Sequence, residues 1–280
     1  MQTIYTILYW STPAVIALAA IEAAVLWTIR RRYDWRAGLA SLVDILVRQY
    51  IVYVYFAFGP VDLVIGWIYQ HRLATVPLGT TASIAALFVG QEFCYYWFHR
   101  CSHRLRLLWA NHAVHHSSNE LNLSAAVRLG WTGRLVGVSA FFLPLIWLGF
   151  PPRAVFVTLN LNLLYQFLLH ADWVPKLGPL EWVLNTPSHH RVHHAANPEY
   201  RDKNFGGALI VFDRLFGTFA AENDAVACRY GLVEPLRSNN PLWIAIHEFV
   251  ALCRDLWRGR NWRERLRAFI AVPVSLVAVE

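Results

Sequence analysis

The stretch NTPSHHRVHHAANPEYRDKNFGG, residues 185–207, holds four histidines within six positions. They are His189, His190, His193 and His194, and the last five residues of HHRVHH have the spacing HxxHH. On a helix, residues three and four apart lie on one face, about 5–6 Å apart at Cβ. Such residues can direct several imidazole nitrogens at one metal ion.

Similar spacings occur earlier in the chain. Two further motifs and one isolated histidine precede the stretch: HRCSH with His99 and His103, HAVHH with His112, His115 and His116, and LLHAD with His170. One metal ion cannot use ten nitrogens but two can, so the pattern predicts a two-metal site. Ten crowded imidazoles would repel one another once protonated, and metal binding removes this problem because ligating imidazoles are neutral. His71 and His247 stand alone, and we expect neither to bind metal.

The composition indicates a membrane protein. Of the 280 residues, 56% are hydrophobic and 15% are charged, whereas soluble domains average about 25% charged. A membrane helix needs ~20 mostly apolar residues, and the apolar runs are 4–29, 39–58, 78–98 and a tight hairpin of 135–150 and 153–169. We therefore predict an all-α fold, an integral membrane bundle of about four to five transmembrane helices with a cytoplasmic histidine-rich cap.

Basic residues set the expected orientation. Arg30, Arg31 and Arg32 follow the first apolar run, so that loop is expected in the cytoplasm. Counting crossings then places 99–134 and 171–240, with the clustered histidines, on the same side, at the inner membrane if the source is bacterial. Because arginines flank the apolar runs, the net charge of +7 is explained by membrane topology, and we expect no nucleic-acid partner.

No linker rich in Gly, Ser or Pro divides the chain, so we expect one membrane-embedded domain over 1–280. Its predicted parts are N-terminal transmembrane helices (1–90), the histidine-box catalytic core (91–222) and C-terminal interfacial helices (223–280). The last assignment rests on the runs 241–257 and 264–279, which mix Arg with Trp, Leu and Val as membrane-surface helices do.

Ligand type leaves the metal open, because imidazole suits Zn, Cu, Fe and Ni. The setting favours iron, because a metal pair at the mouth of an apolar bundle can meet a lipid, and zinc has no redox chemistry with which to activate O2. We predict two iron ions with O2 as co-substrate, and zinc can replace iron in purified protein.

No cofactor motif accompanies the histidines. The four cysteines form no CxxC pair, and the chain has no GxGxxG or CxxCH motif, which gives no sign of a disulfide framework or of a flavin, nicotinamide, haem or ferredoxin site. Electrons must then come from a separate donor, whether a reductase with ferredoxin, a cytochrome or a pterin.

The histidine boxes resemble those of the fatty acid hydroxylase/sterol desaturase superfamily of membrane diiron oxygenases. The likeness extends between the boxes. Two stretches look like their counterparts in the alkylglycerol monooxygenase-like branch: YYWFHRCSHRLRLLWANHAVHHSSNELNLSAAVRLGW (95–131) and LGPLEWVLNTPSHHRVHHAANPEYRDKNFGGALIVFDRLFGTF (177–219). Together they cover roughly residues 91–222, just under half of the chain.

The resemblance implies that all ten clustered histidines ligate iron. His170 matches the histidine that follows the hairpin in the family. His189 matches an extra histidine that precedes the last box in several branches. The chain departs from the pattern at two positions. Members often carry a carboxylate where this chain has Arg104, which weakens the transfer of the alkylglycerol substrate and its pterin reductant. Many members carry Asp where this chain has Glu92.

Four further polar residues are candidates to support the ligands. Glu92 lies two helical turns before His99, Asn122 follows the second box, and Asp202 and Asn204 follow the last box. Their side chains can orient imidazole N–H groups, although Asn is also a frequent helix cap.

The function predicted is hydroxylation of a C–H bond of a lipid, whether fatty acyl, alkyl-ether, sterol-like or headgroup, with O2 and external electrons. We expect the lipid to enter through a groove lined by Tyr95, Phe98, Trp131 and Phe167. A desaturase of the same chemistry is an alternative that the sequence leaves open. A metal transporter would need polar residues strung through the membrane, and a zinc hydrolase would not need ten ligands, so both are less favoured.

Overall fold

The computed structural model describes the backbone of residues 2–30, 33–58 and 61–271. Within these ranges the protein is helical and contains no β-strand, only the isolated bridges Leu184–Leu209 and Ala195–Tyr230. The all-α prediction is confirmed. Arg31, Arg32 and the last part of the run 264–279 lie outside the described residues.

Twelve α-helices lie in the described ranges: α1 (Gln2–Val25), α2 (Trp35–Phe58), α3 (Val61–Gln70), α4 (Thr81–Arg104), α5 (Arg106–His116), α6 (Leu123–Ala126), α7 (Leu143–Leu148), α8 (Pro152–Leu169), α9 (Pro187–His194), α10 (Val211–Leu215), α11 (Pro241–Arg258) and α12 (Trp262–Ile270). A π-helical turn (Leu26–Arg30) continues α1, and two 3₁₀ turns occupy Val138–Phe142 and Gly178–Trp182. Helices α1, α2, α4 and α8 correspond to four of the predicted apolar runs.

Helix α4 is longer than its apolar run and carries the first histidine box in its last turns. It begins at a capping box in which the Thr80 hydroxyl accepts the Ser83 N–H at 3.2 Å. It ends at Leu105, whose extended backbone allows α5 to start at once. The first two histidine boxes therefore lie on consecutive helices, and only Leu105 separates the two helices.

The first half of the predicted hairpin, 135–150, is not a single helix. Gly137 has a φ of 87°, in the left-handed region, and Pro144 lies in the first turn of α7. The segment is therefore a 3₁₀ turn followed by a short helix. The apolar piece Val138–Leu148 is shorter than the ~20 residues that a membrane crossing needs.

Among the described residues, one helical segment, Ser11–Ile29, is long and apolar enough to cross a membrane. Other predicted spans contain polar residues that face the protein interior. Asp44 on α2 and Glu92 on α4 are only 2% and 1% exposed. The predicted total of four to five spans stays a prediction.

Buried polar side chains fasten α1 and α2 to the segment that follows the second box. Glu22 on α1 accepts the Leu123 N–H at 2.6 Å and the Trp173 indole N–H at 2.9 Å. Asp44 accepts the Leu129 N–H at 2.9 Å. The guanidinium of Arg128 donates to Ser41 Oγ on α2, to the Ala37 carbonyl and to Ser117 Oγ. The N-terminal helices are thus fixed relative to the histidines.

Gly149 joins α7 to the start of α8 in a turn that only glycine fits. Its φ is 120°, and a Cβ atom there would lie 2.2 Å from the Ala74 carbonyl oxygen. Because the two backbones approach so closely, the Gly149 carbonyl can accept the Val76 N–H at 3.0 Å.

We expect Gly149→Ala to destabilise the fold by at least about 2 kcal/mol, because it adds left-handed strain to a clash with backbone. Thermal unfolding in detergent measures the effect. Gly79→Ala is the matched control, since nothing lies within 4 Å of a Cβ at Gly79. Equal melting temperatures for the two variants would contradict the expectation.

Candidate metal centre

Nine of the ten clustered histidines converge in two groups. The five-histidine group is His99, His103, His112, His116 and His193, and the four-histidine group is His115, His170, His190 and His194. Within each group the candidate ligand atoms lie within 4.8 Å of one another. Eight of the nine side chains are at most 7% exposed, and His112 is partly exposed.

Each HxxHH motif is divided between the two groups. On α5, His112 and His116 face the five-histidine group and His115 faces the other. On α9 the assignment is reversed: His190 and His194 belong to the four-histidine group, while His193 belongs to the five-histidine group. The 100° step of a helix explains the pattern, because residues i and i+4 nearly align whereas i+3 points to the other side of them. Both helices thus serve both groups.

Backbone carbonyls fix the protonation of several imidazoles. Four Nδ1 atoms lie within hydrogen-bond distance of a carbonyl oxygen: His99 with Phe205 (2.9 Å), His115 with Arg128 (3.1 Å), His170 with Gln166 (2.8 Å) and His193 with Lys203 (2.9 Å). A carbonyl oxygen only accepts, so Nδ1 must carry the proton and donate it. In a neutral imidazole Nε2 then presents a lone pair, which is the atom a metal needs.

These lone pairs point at one another. Nε2 of His115 lies 3.2 Å from Nε2 of His170, and since both Nδ1 atoms donate to carbonyls, no proton is left to bridge the pair. At a Zn–N length of about 2.0–2.1 Å, two nitrogens on one ion lie about 3.0 Å apart at a right angle and about 3.4 Å apart at a tetrahedral angle. Five Nε2–Nε2 separations within the two groups are 3.0–3.2 Å, which fits this range. The donor sets suit one metal ion each.

Burial keeps the imidazoles neutral. Loss of solvation lowers the pKa of every histidine in both groups, and that of His115 falls to about 4. Neighbouring imidazoles lower the pKa of most of them further. At neutral pH the two groups therefore offer uncharged nitrogen donors, the form in which histidine binds a metal.

His189 does not join either group. Its Nε2 lies 3.9 Å from a carboxylate oxygen of Glu181, and its ring packs edge-on against Phe219 at 5.3 Å between centroids. It precedes the HxxHH spacing within HHRVHH, and its side chain lies against Glu181 and Phe219 rather than in either group. We leave His189 out of the proposed ligand sets.

Of the predicted supporting residues, Asp202 lies against a ligand histidine. Its Oδ1 is 3.5 Å from His103 Nδ1, and its Oδ2 is 3.5 Å from an Arg104 guanidinium nitrogen. Burial raises the pKa of the Asp202 carboxyl, but His103 and Arg104 lower it by more, so the pKa lies below its ordinary value. Asp202 is thus placed to orient the His103 ring.

Asn204 and Asn122 have other roles. Asn204 donates to the carbonyls of His189 and Ala220 and accepts the Ala220 N–H, so it ties α9 to a neighbouring loop without touching an imidazole. Asn122 accepts the Ala125 N–H at 2.9 Å and caps α6. Its described hydrogen bonds include none to a ligand histidine.

Glu92 acts at one remove from the histidines. It accepts the N–H groups of Ala208 and Leu209 at 2.8 Å each and a hydrogen bond from Asn162, and has no contact with His99. Asp213 holds the same loop, accepting the N–H groups of Phe205 and Gly206 at 2.7 Å each. The two buried carboxylates thereby fix the peptide whose carbonyl receives the His99 proton.

A line of polar side chains along α8 was not predicted from the sequence. Asn162, Gln166 and the C-cap His170 are spaced four apart along this mostly apolar helix, which places them on one face. Gln166 donates to Asn162 Oδ1 and accepts from the Tyr95 hydroxyl at 2.8 Å, so the line links Glu92 to His170. The four-residue spacing was the available signal. The carbonyl acceptors, by contrast, leave no signature in residue type.

An apolar cavity of about 760 Å³ lies between α4, α7 and α10. Its walls include Val89, Phe93 and Trp97 on α4, Phe141 and Leu148. None of the four aromatic residues named for the predicted groove is among the residues that line this cavity, and that groove stays a prediction.

A second, small cavity of about 20 Å³ touches both histidine groups. It is lined by His103, His116 and His193 of the five-histidine group, by His194 of the other, and by Asp202. A volume above about 10–15 Å³ holds one water-sized molecule.

Comparison with known proteins gives consistent matches. Residues 84–218 match the family model described as fatty acid hydroxylase. Alkylglycerol monooxygenase of Homo sapiens is 38% identical over 253 residues, covering 88% of this chain and 55% of the human protein. The Danio rerio enzyme of the same name is 45% identical over 188 residues, covering 62% and 41%. Ornithine lipid hydroxylase OlsE of Rhizobium tropici is 33% identical over 129 residues, covering 46% and 39%.

These matches confirm the family resemblance recognised in the histidine boxes. The chain spans about half, or less, of the length of these relatives. No solved structure matches it.

Protein purified without chelator is expected to contain about two metal ions per chain, iron or zinc, measured by inductively coupled plasma mass spectrometry. His193→Ala removes a donor that the structure places in the five-histidine group, so it should lose at least one ion. His189→Gln is the matched control on the same helix and should retain both. One ion or none in intact protein, or loss of metal in the control alone, would contradict the two ligand sets.

Proposed function

Because residues 84–218 belong to the fatty acid hydroxylase family, we propose that this chain is a membrane diiron oxygenase that hydroxylates a C–H bond of a lipid. O2 is the co-substrate, and electrons come from a separate donor. The observation that carries the proposal is the convergence of nine imidazoles into two groups, within which five Nε2–Nε2 pairs lie 3.0–3.2 Å apart. When bound there, two iron ions would supply the redox chemistry that activates O2 toward an unactivated C–H bond.

The number of nitrogen donors in each group favours a diiron oxygenase over a zinc hydrolase. A catalytic zinc site commonly has three protein ligands and an open position, whereas here four and five histidines converge. Hydrogen bonds within the protein orient several of these donors. Backbone carbonyls hold four of the imidazoles in the tautomer that presents Nε2, and Glu92 and Asp213 fix the loop that supplies one of those carbonyls. Such preorganisation keeps the ligands within the tolerance that metal chemistry requires.

The small cavity supports access of O2 to both groups. It is bounded by ligand histidines from each group and has room for one small molecule. Burial of the surrounding imidazoles leaves little space for bulk water, which protects a strong oxidant from side reactions. We propose that O2 enters here from the side of the chain formed by Asp202 and residues 231–233.

The apolar cavity supports a hydrocarbon substrate. Its size lies within the ~300–1,000 Å³ common for ligand pockets, and its lining residues are almost all apolar. Aromatic contacts connect its wall to the metal centre. Phe141 packs on Phe98 at 5.7 Å between centroids, Phe98 on Tyr95 at 5.7 Å, and Tyr95 on His99 at 5.4 Å. We propose that the lipid chain lies in this cavity with its reacting carbon toward His99.

A bilayer supplies that substrate. Large apolar side chains are exposed along the N-terminal helices, among them Ile21 (60%), Leu39 (61%) and Leu63 (76%), which is the pattern of a surface that faces lipid. We propose that the runs 4–29, 39–58 and 78–98 span the membrane and that the shorter hairpin 135–169 enters it and returns, with the histidines on the cytoplasmic side. The electron donor is then a cytoplasmic or membrane-bound partner.

Lipid mass spectrometry of cells with and without the gene tests the reaction. Hydroxylation predicts products 16 mass units heavier than the substrate, and desaturation at the same site predicts products two units lighter. His193→Ala is expected to lower product formation at least about 100-fold because it removes a ligand from the five-histidine group.

The control is His247→Ala. His247 lies on α11, and its Nδ1 bonds the Ile244 carbonyl at 2.9 Å, outside both groups. Turnover should remain near the unsubstituted level. Full activity in His193→Ala would contradict the proposed centre, and an unchanged lipid profile in cells that hold the intact protein and its donor would contradict the proposed reaction.

Filling the apolar cavity should change chain selectivity. Ala140 lines it, so Ala140→Phe is expected to lower turnover of long-chain lipids several-fold more than that of short-chain ones, as measured in competition assays. Ala82→Phe is the matched control, on an exposed position of α4 that is not among the lining residues. A chain-length preference unchanged in Ala140→Phe would show that the lipid binds elsewhere.

A further inference from the structure

Helix α12 presents an apolar face that the described part of the chain does not cover. None of its nine residues is buried. Four of its large apolar side chains fall within an arc of about 100° when plotted at 100° per residue: Trp262 (68% exposed), Leu266 (48%), Phe269 (38%) and Ile270 (50%). A helix this short is marginal in water unless another surface covers its apolar face.

Arginines flank this face. Six lie between positions 254 and 267, against two carboxylates, Asp255 and Glu264. On the helical projection, Arg263 and Arg267 border one side of the apolar arc and Arg265 borders the other. Among the described residues, none of these three forms an ion pair.

Both carboxylates are already engaged within the protein. Asp255 forms an ion pair with Arg106 of α5 at 2.7 Å. Glu264 completes the start of α12, where it accepts the Arg260 N–H at 2.7 Å while its own N–H is accepted by Asn261. The positive charge of the flanking arginines is therefore left for an outside partner.

The face is held at a fixed position relative to the metal centre. Helix α11 packs on α5, where Ile244 and Val114 share a buried cluster with Ala40. Since α5 carries the second histidine box, α11 and α12 are anchored to the catalytic core. Trp257, at the end of α11, is 88% exposed and lies just before α12.

We propose that α12 and the end of α11 bind the anionic phosphate headgroups of a bilayer. Helices with apolar and aromatic residues on one face and arginines beside them lie in the membrane interface, with the apolar side in the acyl boundary and the guanidinium groups at the phosphates. A second copy of the chain is a poorer occupant, because its own arginines would meet these with like charge. The proposal does not depend on the reaction catalysed at the histidines.

Hydrogen–deuterium exchange of the full chain in nanodiscs tests the proposal. In discs of phosphatidylcholine with part of the lipid replaced by phosphatidylglycerol, the amides of 262–270 should exchange at least about tenfold more slowly than in phosphatidylcholine alone. Added salt should narrow the difference, because it screens exposed charges. The triple variant Arg263→Gln, Arg265→Gln, Arg267→Gln should lose it.

A control with the same loss of charge separates local from general effects. Arg153→Gln, Arg229→Gln and Arg237→Gln change exposed arginines away from α12 and should keep the phosphatidylglycerol-dependent slowing. Exchange in 106–116 reports that the fold is intact in both variants. Equal exchange of 262–270 in the two lipids, or full slowing in the α12 variant, would overturn the proposal. Slowing in lipid-free detergent that rises with protein concentration would do the same, since a second copy would then cover the face.

Discussion

Nitrogen lone pairs that face one another without a proton between them are the constraint on which this structure depends. His115 and His170 present Nε2 to each other at 3.2 Å while both Nδ1 atoms donate to carbonyls. Two buried lone pairs at this distance repel unless a cation lies between them. The last turns of α4, α5, α8 and α9 meet where they do because each brings imidazole to this point.

Support for the imidazoles comes mainly from the backbone. The carbonyls of Phe205, Lys203, Arg128 and Gln166 each receive an Nδ1 proton, and Asp213 holds the peptide that carries the first of them. Arg128 has two roles, since its carbonyl orients His115 while its guanidinium bonds to α2. A change at such a residue would disturb the ligands without altering any of them.

Sequence reasoning predicted the helical fold and the nine converging histidines, because spacings of three and four residues translate directly into a shared helix face. It could not assign each histidine to one of two groups, since that depends on how α5 and α9 are rotated against each other. It placed His189 with the ligands because of the family resemblance, whereas the structure places this side chain beside Glu181 and outside both groups. The break within 135–150 was hidden by apolar composition, although Gly137 and Pro144 were its signs.

The division of each HxxHH motif between the two groups has a consequence for how the centre is assembled. Helices α5 and α9 each hold donors for both histidine groups, so an ion bound in one group would also restrain donors of the other. The first ion to arrive would fix the rotation of both helices and so lower the entropic cost of ordering the ligands for the second. Metal binding should accordingly be cooperative. At equilibrium, protein with one ion bound would be scarce compared with protein that holds none or two.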